Sequence, residues 1–133
     1  MKLILFLDTR GGMLFNHRRQ SQDRYAREYI LKMTAGSRLL MNPYSAKQFK
    51  EGAFIVTETP QKDAGKEDFA LIENLPVVLD GVDEVILFLW NERYPYDIAF
   101  DRSSLPKAGF SLEKSEDFAG YSHEKITVEI YRR

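Results

Sequence analysis

A chain of 133 residues with a formal net charge of −1 at neutral pH can carry one packed core, and it has no overall field strong enough to hold nucleic acid or a membrane surface. Hydrophobic residues at 44% and charged residues at 29% are the proportions of a soluble globular protein, and one domain over residues 1–133 is the expectation. The absence of cysteine excludes a disulfide framework, a thiolate nucleophile and a cysteine-built metal site, and it fits a reducing, cytoplasmic setting.

Lys2 to Leu7 is an apolar run too short to cross a membrane or form a signal core, and it reads as an interior strand covered on both faces. Asp8-Thr9-Arg10-Gly11-Gly12 then leaves the carboxyl end of that strand, where open α/β sheets place their ligands. The loop is expected to continue through Met13 to Gln20. Ser21 is the expected N-cap of a helix whose apolar face is Tyr25, Ala26, Tyr29, Ile30 and Met33, with Gly36 as its stop. Leu39 to Met41 reads as a strand and Asn42-Pro43-Tyr44 as a turn. A short helix follows from Tyr44 or Ser45 toward Phe49, and Ala53 to Thr57 is extended again after Gly52.

The middle of the chain has weaker periodicity. Glu58 to Asp68 reads as a hydrophilic loop, while Phe69 to Ile72 and Val77 to Leu79 are short extended candidates. Val82 to Trp90 is a second apolar run and a second interior strand, and Trp90 is expected in the core. Asn91 to Tyr96 makes a turn, with a bridge or short strand at Ile98 to Phe100. Phe110 to Lys114 reads as an alternating strand, and Ile126 to Tyr131 alternates strictly, the pattern of a last strand with one buried and one wet face in a C-terminal hairpin.

A strand–helix–strand–helix–strand opening closed by an antiparallel hairpin resembles the dihydrofolate reductase fold. Asp8, Gly11, Asn16, Thr34, Gly36, Met41 and Ser45 lie on that family's pattern without a gap, and Val82 to Leu87 and Ser122 to Arg133 resemble its late strands. The likeness covers roughly the first and last fifty residues. It implies an α/β domain with a mixed sheet, a mainly parallel core, a C-terminal antiparallel hairpin and flanking helices. It implies a degenerate reductase without hydride transfer, because the residues that perform that chemistry are replaced, unless Asp23, one turn earlier, takes the place of the missing acid. The family's substrate carboxylate falls on Ala26, its loop tryptophan on Ser21 and its phosphate-binding arginine on Pro43; its glycine pair beside the cofactor phosphates has no counterpart, Gly81 standing alone. No cofactor is therefore expected.

What remains is a polar constellation on the first loop and beyond the second strand: Arg10, Gly11, Gly12, Asn16, Arg18, Arg19, Asp23, Asn42, Tyr44 and Ser45. Guanidinium forks, glycine amides and a helix N-terminus all favour an anion, so a nucleotide- or pterin-like anionic ligand is one reading. The other is a non-catalytic surface for RNA or a protein, using the basic loop from Arg10 to Arg24. His17 and His123 stand in no metal-binding spacing, and no metal is expected. A second resemblance is to short bacterial proteins, some of which carry a ribonuclease Z label. Enzymes of that name are zinc hydrolases built on an HxHxDH motif, which this chain lacks. A middle shortened relative to the family is expected to leave an edge strand uncovered, and with it a homodimer.

Overall fold

The computed structural model describes residues 1–133. Its centre is β1 (Lys2–Leu7), which lies parallel between β6 (Phe69–Leu71) and β7 (Glu84–Leu89). Further out are β4 (Leu39–Met41) and β5 (Ile55–Val56) on one side, and β10 (Ile126–Arg132) and β9 (Ser111–Phe118) on the other. The seven strands run in the order β5-β4-β6-β1-β7-β10-β9, parallel except for the hairpin β9–β10, whose β10 is antiparallel to β7. This is the expected mixed sheet.

The apolar runs of β1 and β7 are continuous because both faces of the sheet are covered. Leu3, Leu5 and Leu7 point into one layer of core, and Ile4 and Phe6 into the other. The second layer is closed by α1 (Arg24–Met33), which buries Ala26 and Ile30, four residues apart on one helical face. At its centre Phe88 is fully buried between Phe6 and Tyr29.

The first layer is closed by irregular chain. Here four expectations need correction. Met13 to Gln20 is a hairpin rather than a loop: β2 (Gly12–Phe15) and β3 (Arg18–Arg19) pair through Asn16 and His17, both left-handed at φ 52° and 62°. A third strand, β8 (Ile98–Ala99), pairs with β2. Val77 to Leu79 forms no strand; Val77 and Leu79 pack as an apolar flap against the core. Glu58 to Asp68 contains a single-turn helix, α3 (Pro60–Asp63), and a further turn, α4 (Ser104–Lys107), places Leu105 in the core.

The fourth correction concerns edges. Residues 72–83 carry the chain directly from β6 to β7, both interior strands, so the short middle creates no new edge. The two edges are β5, only two residues long, and β9, whose exposed side chains include Glu113, Lys114, Glu116 and Asp117. Charges along an exposed strand disfavour edge-to-edge pairing.

Candidate functional site

The carboxyl end of β1 delivers Asp8 into a fully buried position. One carboxylate oxygen accepts from the Arg10 and Gly12 amides, both at 2.8 Å; the other accepts from Gln20 Nε2 at 3.0 Å and the Tyr94 amide at 3.3 Å. Burial alone would raise the Asp8 pKa, but these donors outweigh it and hold the group below its ordinary value. Asp8 thus organises the loop around itself. Gly11 is left-handed at φ 80°, and a Cβ there would strike the Phe100 carbonyl oxygen. A Cβ on Gly12 would lie 2.5 Å from Gln20 Nε2 and 2.9 Å from the Tyr96 side chain. Both glycines admit the protein's own chain.

Arg10 turns away from the strand ends, donating to the Tyr94 carbonyl at 2.7 Å and lying over the Tyr96 ring. Asn16 sits in the hairpin turn, its amide bonded to Asp97, and Arg18 is exposed beside it. These residues of the expected constellation do not converge.

Arg19, Asn42, Tyr44 and Ser45 do come together, where β4 gives way to α2 (Pro43–Ala46). The helix opens at Pro43 rather than at Tyr44 or Ser45, and Asn42 caps it, accepting from the Ser45 amide at 3.0 Å while its Nδ2 donates to Asn74. The Arg19 amide donates to the Tyr44 hydroxyl at 2.6 Å, and its guanidinium lies over the Tyr44 ring. That guanidinium also forms a two-pronged pair with Glu73, at 3.1 and 3.3 Å, and Glu73 accepts in addition from Gln48. The end of β6 is thus closed by Glu73 and Asn74. The Ser45 hydroxyl is buried in this cluster without a partner.

The start of α1 differs from expectation. Asp23 is the N-cap, its Oδ1 accepting from the Tyr25 and Ala26 amides. The same carboxylate accepts from the Tyr121 and Ser122 amides and meets His123 Nδ1 at 2.8 Å, so it clasps the β9–β10 loop to the helix. Burial pushes its pKa up, but the His123 hydrogen bond and the main-chain donors prevail and bring it to about 2. Ser21 makes no cap; its hydroxyl lies 2.8 Å from His123 Nε2. The imidazole stacks on buried Trp90, which in turn stacks on Phe6, and Tyr94 Oη approaches the same ring nitrogen at 3.2 Å.

Gly120 lets this loop close. A Cβ there would stand 2.7 Å from the His123 carbonyl oxygen and 2.9 Å from Asp23 Oδ2. Gly120→Ala is expected to lower stability by about 1–3 kcal/mol through overpacking, read as a fall in the urea midpoint at unchanged slope.

Between α1 and residues 47–50 lies an open hollow of about 450 Å³. Arg19, Arg24, Arg27, Lys47 and Lys50 line it, together with Gln22, Gln48, Tyr121 and Ser122, and no carboxylate does. The adjoining hollow shares Arg24, Arg27, Gln48 and Lys50 and adds Glu28 and Glu51 to its wall; Glu28 approaches Arg24 at 3.9 Å, and Glu73 pairs with Arg19. Lys47, Lys50 and His123 were not singled out from sequence. The lysines flank Gln48-Phe49 with no motif, and only the packing of α1 and β3 beside this segment brings the five cations together.

No protein-family model matches the chain, and neither does any curated protein sequence. Among solved structures, dihydrofolate reductase from Enterococcus faecalis, complexed with NADP(H) and RAB-propyl, superposes with a TM-score of 0.66. The match covers 99% of this chain and 95% of that one at 11% sequence identity. The likeness is one of fold: this chain has a dihydrofolate reductase-like architecture.

Proposed function

We propose that the protein binds a small anionic ligand in the basic hollow beside α1 and does so without hydride transfer. The observation that carries this reading is the cation set itself. Five Lys or Arg side chains line one concave surface, and of them only Arg19 and Arg24 pair with a carboxylate. Mutual repulsion makes such an arrangement costly, and an anion relieves it; arginines here offer planar forks suited to phosphate or carboxylate. Nucleotide- and pterin-like anions both fit that chemistry.

Against reductase chemistry stand the residues at the strand ends. Ala26 occupies the helix position where the resemblance puts the substrate carboxylate, and Asp23, one turn earlier, spends its oxygens on five protein donors. Glu73-Asn74 stands at the end of the strand between β4 and β1, a place unfavourable to a cofactor's phosphates.

The test is a thermal-shift panel with pyrophosphate, citrate, NADPH, dihydrofolate and a short single-stranded RNA. A small anion at about a hundred times its dissociation constant is expected to stabilise the fold by about 2.7 kcal/mol, several degrees of midpoint. Replacing Arg24 and Arg27 together by Ala should abolish that shift. A response to RNA alone would transfer the reading to a macromolecular surface, and NADPH oxidation on adding dihydrofolate would overturn it.

A further inference from the structure

Ser21, His123 and Asp23 stand in an order that neither anion binding nor helix capping requires. Asp23 is acceptor-only as a carboxylate, so the proton between it and His123 belongs to Nδ1, at 2.8 Å. That tautomer leaves Nε2 as an acceptor, and the Ser21 hydroxyl lies 2.8 Å from it. The imidazole cannot swing away, being buried and stacked on Trp90 with ring centroids 4.7 Å apart. Asp23 is itself immobilised by four main-chain donors. A hydroxyl, a base of fixed tautomer and a buried orienting carboxylate, each within hydrogen-bond reach of the next, are the parts of a serine nucleophile, and that constellation is identified by geometry rather than by fold.

Two further features favour a working array over a clasp alone. Ser21 is only half-buried, whereas His123 and Asp23 are closed from solvent. The main-chain N–H groups of Ser21 and Gln22 make no main-chain hydrogen bond, which leaves them free to donate to a carbonyl oxygen. The neighbours of the array, Gln22 and Ser122, form part of the wall of the basic hollow.

We propose that Ser21, His123 and Asp23 hydrolyse an acyl ester whose acyl group carries an anion seated in that hollow; the anionic substrate class rests on the function proposed above, the array itself does not. Ser21 Oγ attacks the ester carbonyl as its proton passes to His123 Nε2. The bond to the leaving oxygen breaks, and the alcohol departs with that proton. Water then attacks the acyl-serine, giving its proton to Nε2; the acyl–Oγ bond breaks, the carboxylic acid leaves, and Ser21 recovers its proton. Asp23 stays ionised throughout, orienting the ring and stabilising its charged form.

The test needs the full chain and a neutral fluorophosphonate probe, with the labelled peptide identified by mass spectrometry. One label on Ser21 of the unaltered protein is expected. 4-Nitrophenyl hemisuccinate should be cleaved with a higher kcat/KM than 4-nitrophenyl acetate, and Ser21→Ala should lower both by at least about 100-fold while the circular dichroism spectrum is retained. Absence of label on Ser21, with equal ester cleavage by the protein and the Ser21→Ala variant, overturns the proposal and leaves a structural clasp. If pyrophosphate still shifts the melting midpoint in that case, the anion-binding reading survives alone. Labelling at Ser21 without preference for hemisuccinate keeps the array and removes the anionic substrate class.

Discussion

Asp23→Ala is expected to destabilise the protein by about 2–4 kcal/mol at pH 7, because it removes a buried carboxylate on which five donors converge and strands them. Two amides of the first helical turn lose their cap, and the Tyr121 and Ser122 amides and His123 Nδ1 lose their acceptor. The cap alone accounts for about 1 kcal/mol of this. Asp23→Asn separates charge from shape, since an asparagine can still cap. The Asp23 carboxyl lies near 2 in the folded state, below its ordinary 3.8. A depressed acid contributes stability that is present above its unfolded pKa and disappears as pH falls through the folded value. That contribution, about 2 kcal/mol, is therefore complete above about pH 5 and is lost as pH falls through about 2. Urea unfolding of the protein and its Asp23→Asn variant at pH 7 and at pH 2.5 checks the sign: the gap between them should narrow in acid. A gap independent of pH would mean that the cluster does not depend on the charge.

Phe88→Ala should cost about 3–5 kcal/mol. Phe88 is fully buried on β7 and meets Phe6 across the parallel pair and the edge of Tyr29 from α1. Removing its ring opens a void where strand and helix are already fixed by main-chain hydrogen bonds, so little collapse can fill it. The loss is expected as a lower urea midpoint. Phe88→Leu, which restores much of the volume, should recover a substantial part of it.

How far the amino-acid sequence revealed the molecule depends on where each decision is made. β1 and β7 are legible because burial on both faces leaves continuous apolar runs, and β10 because one wet face enforces alternation. The β2–β3 hairpin escapes notice since its turn uses Asn16 and His17 in left-handed conformations instead of an Asn-Gly pair. Ser21 and Asp23 are both good capping residues; the choice between them is made by the loop from Tyr121 to His123, about a hundred residues away. The cluster of Asn42, Tyr44 and Ser45 beside Arg19 is legible from its place after a strand, though none of the three lines the hollow. The seat of Arg10 on Tyr94 and Tyr96 is announced by no local pattern. The hollow is the least legible feature, for its cations come from β3, α1 and the segment after α2.

The central place of β1 also bears on how the chain reaches its native state. Its hydrogen-bonding partners begin at Phe69 and Glu84, and β7 is flanked on its other side by β10. Leu3 to Leu7 thus finds its strand neighbours only across long stretches of intervening chain. Sheets built from such distant pairings fold in milliseconds to seconds, and Leu3 to Leu7 stays without a strand partner until β6 or β7 reaches it.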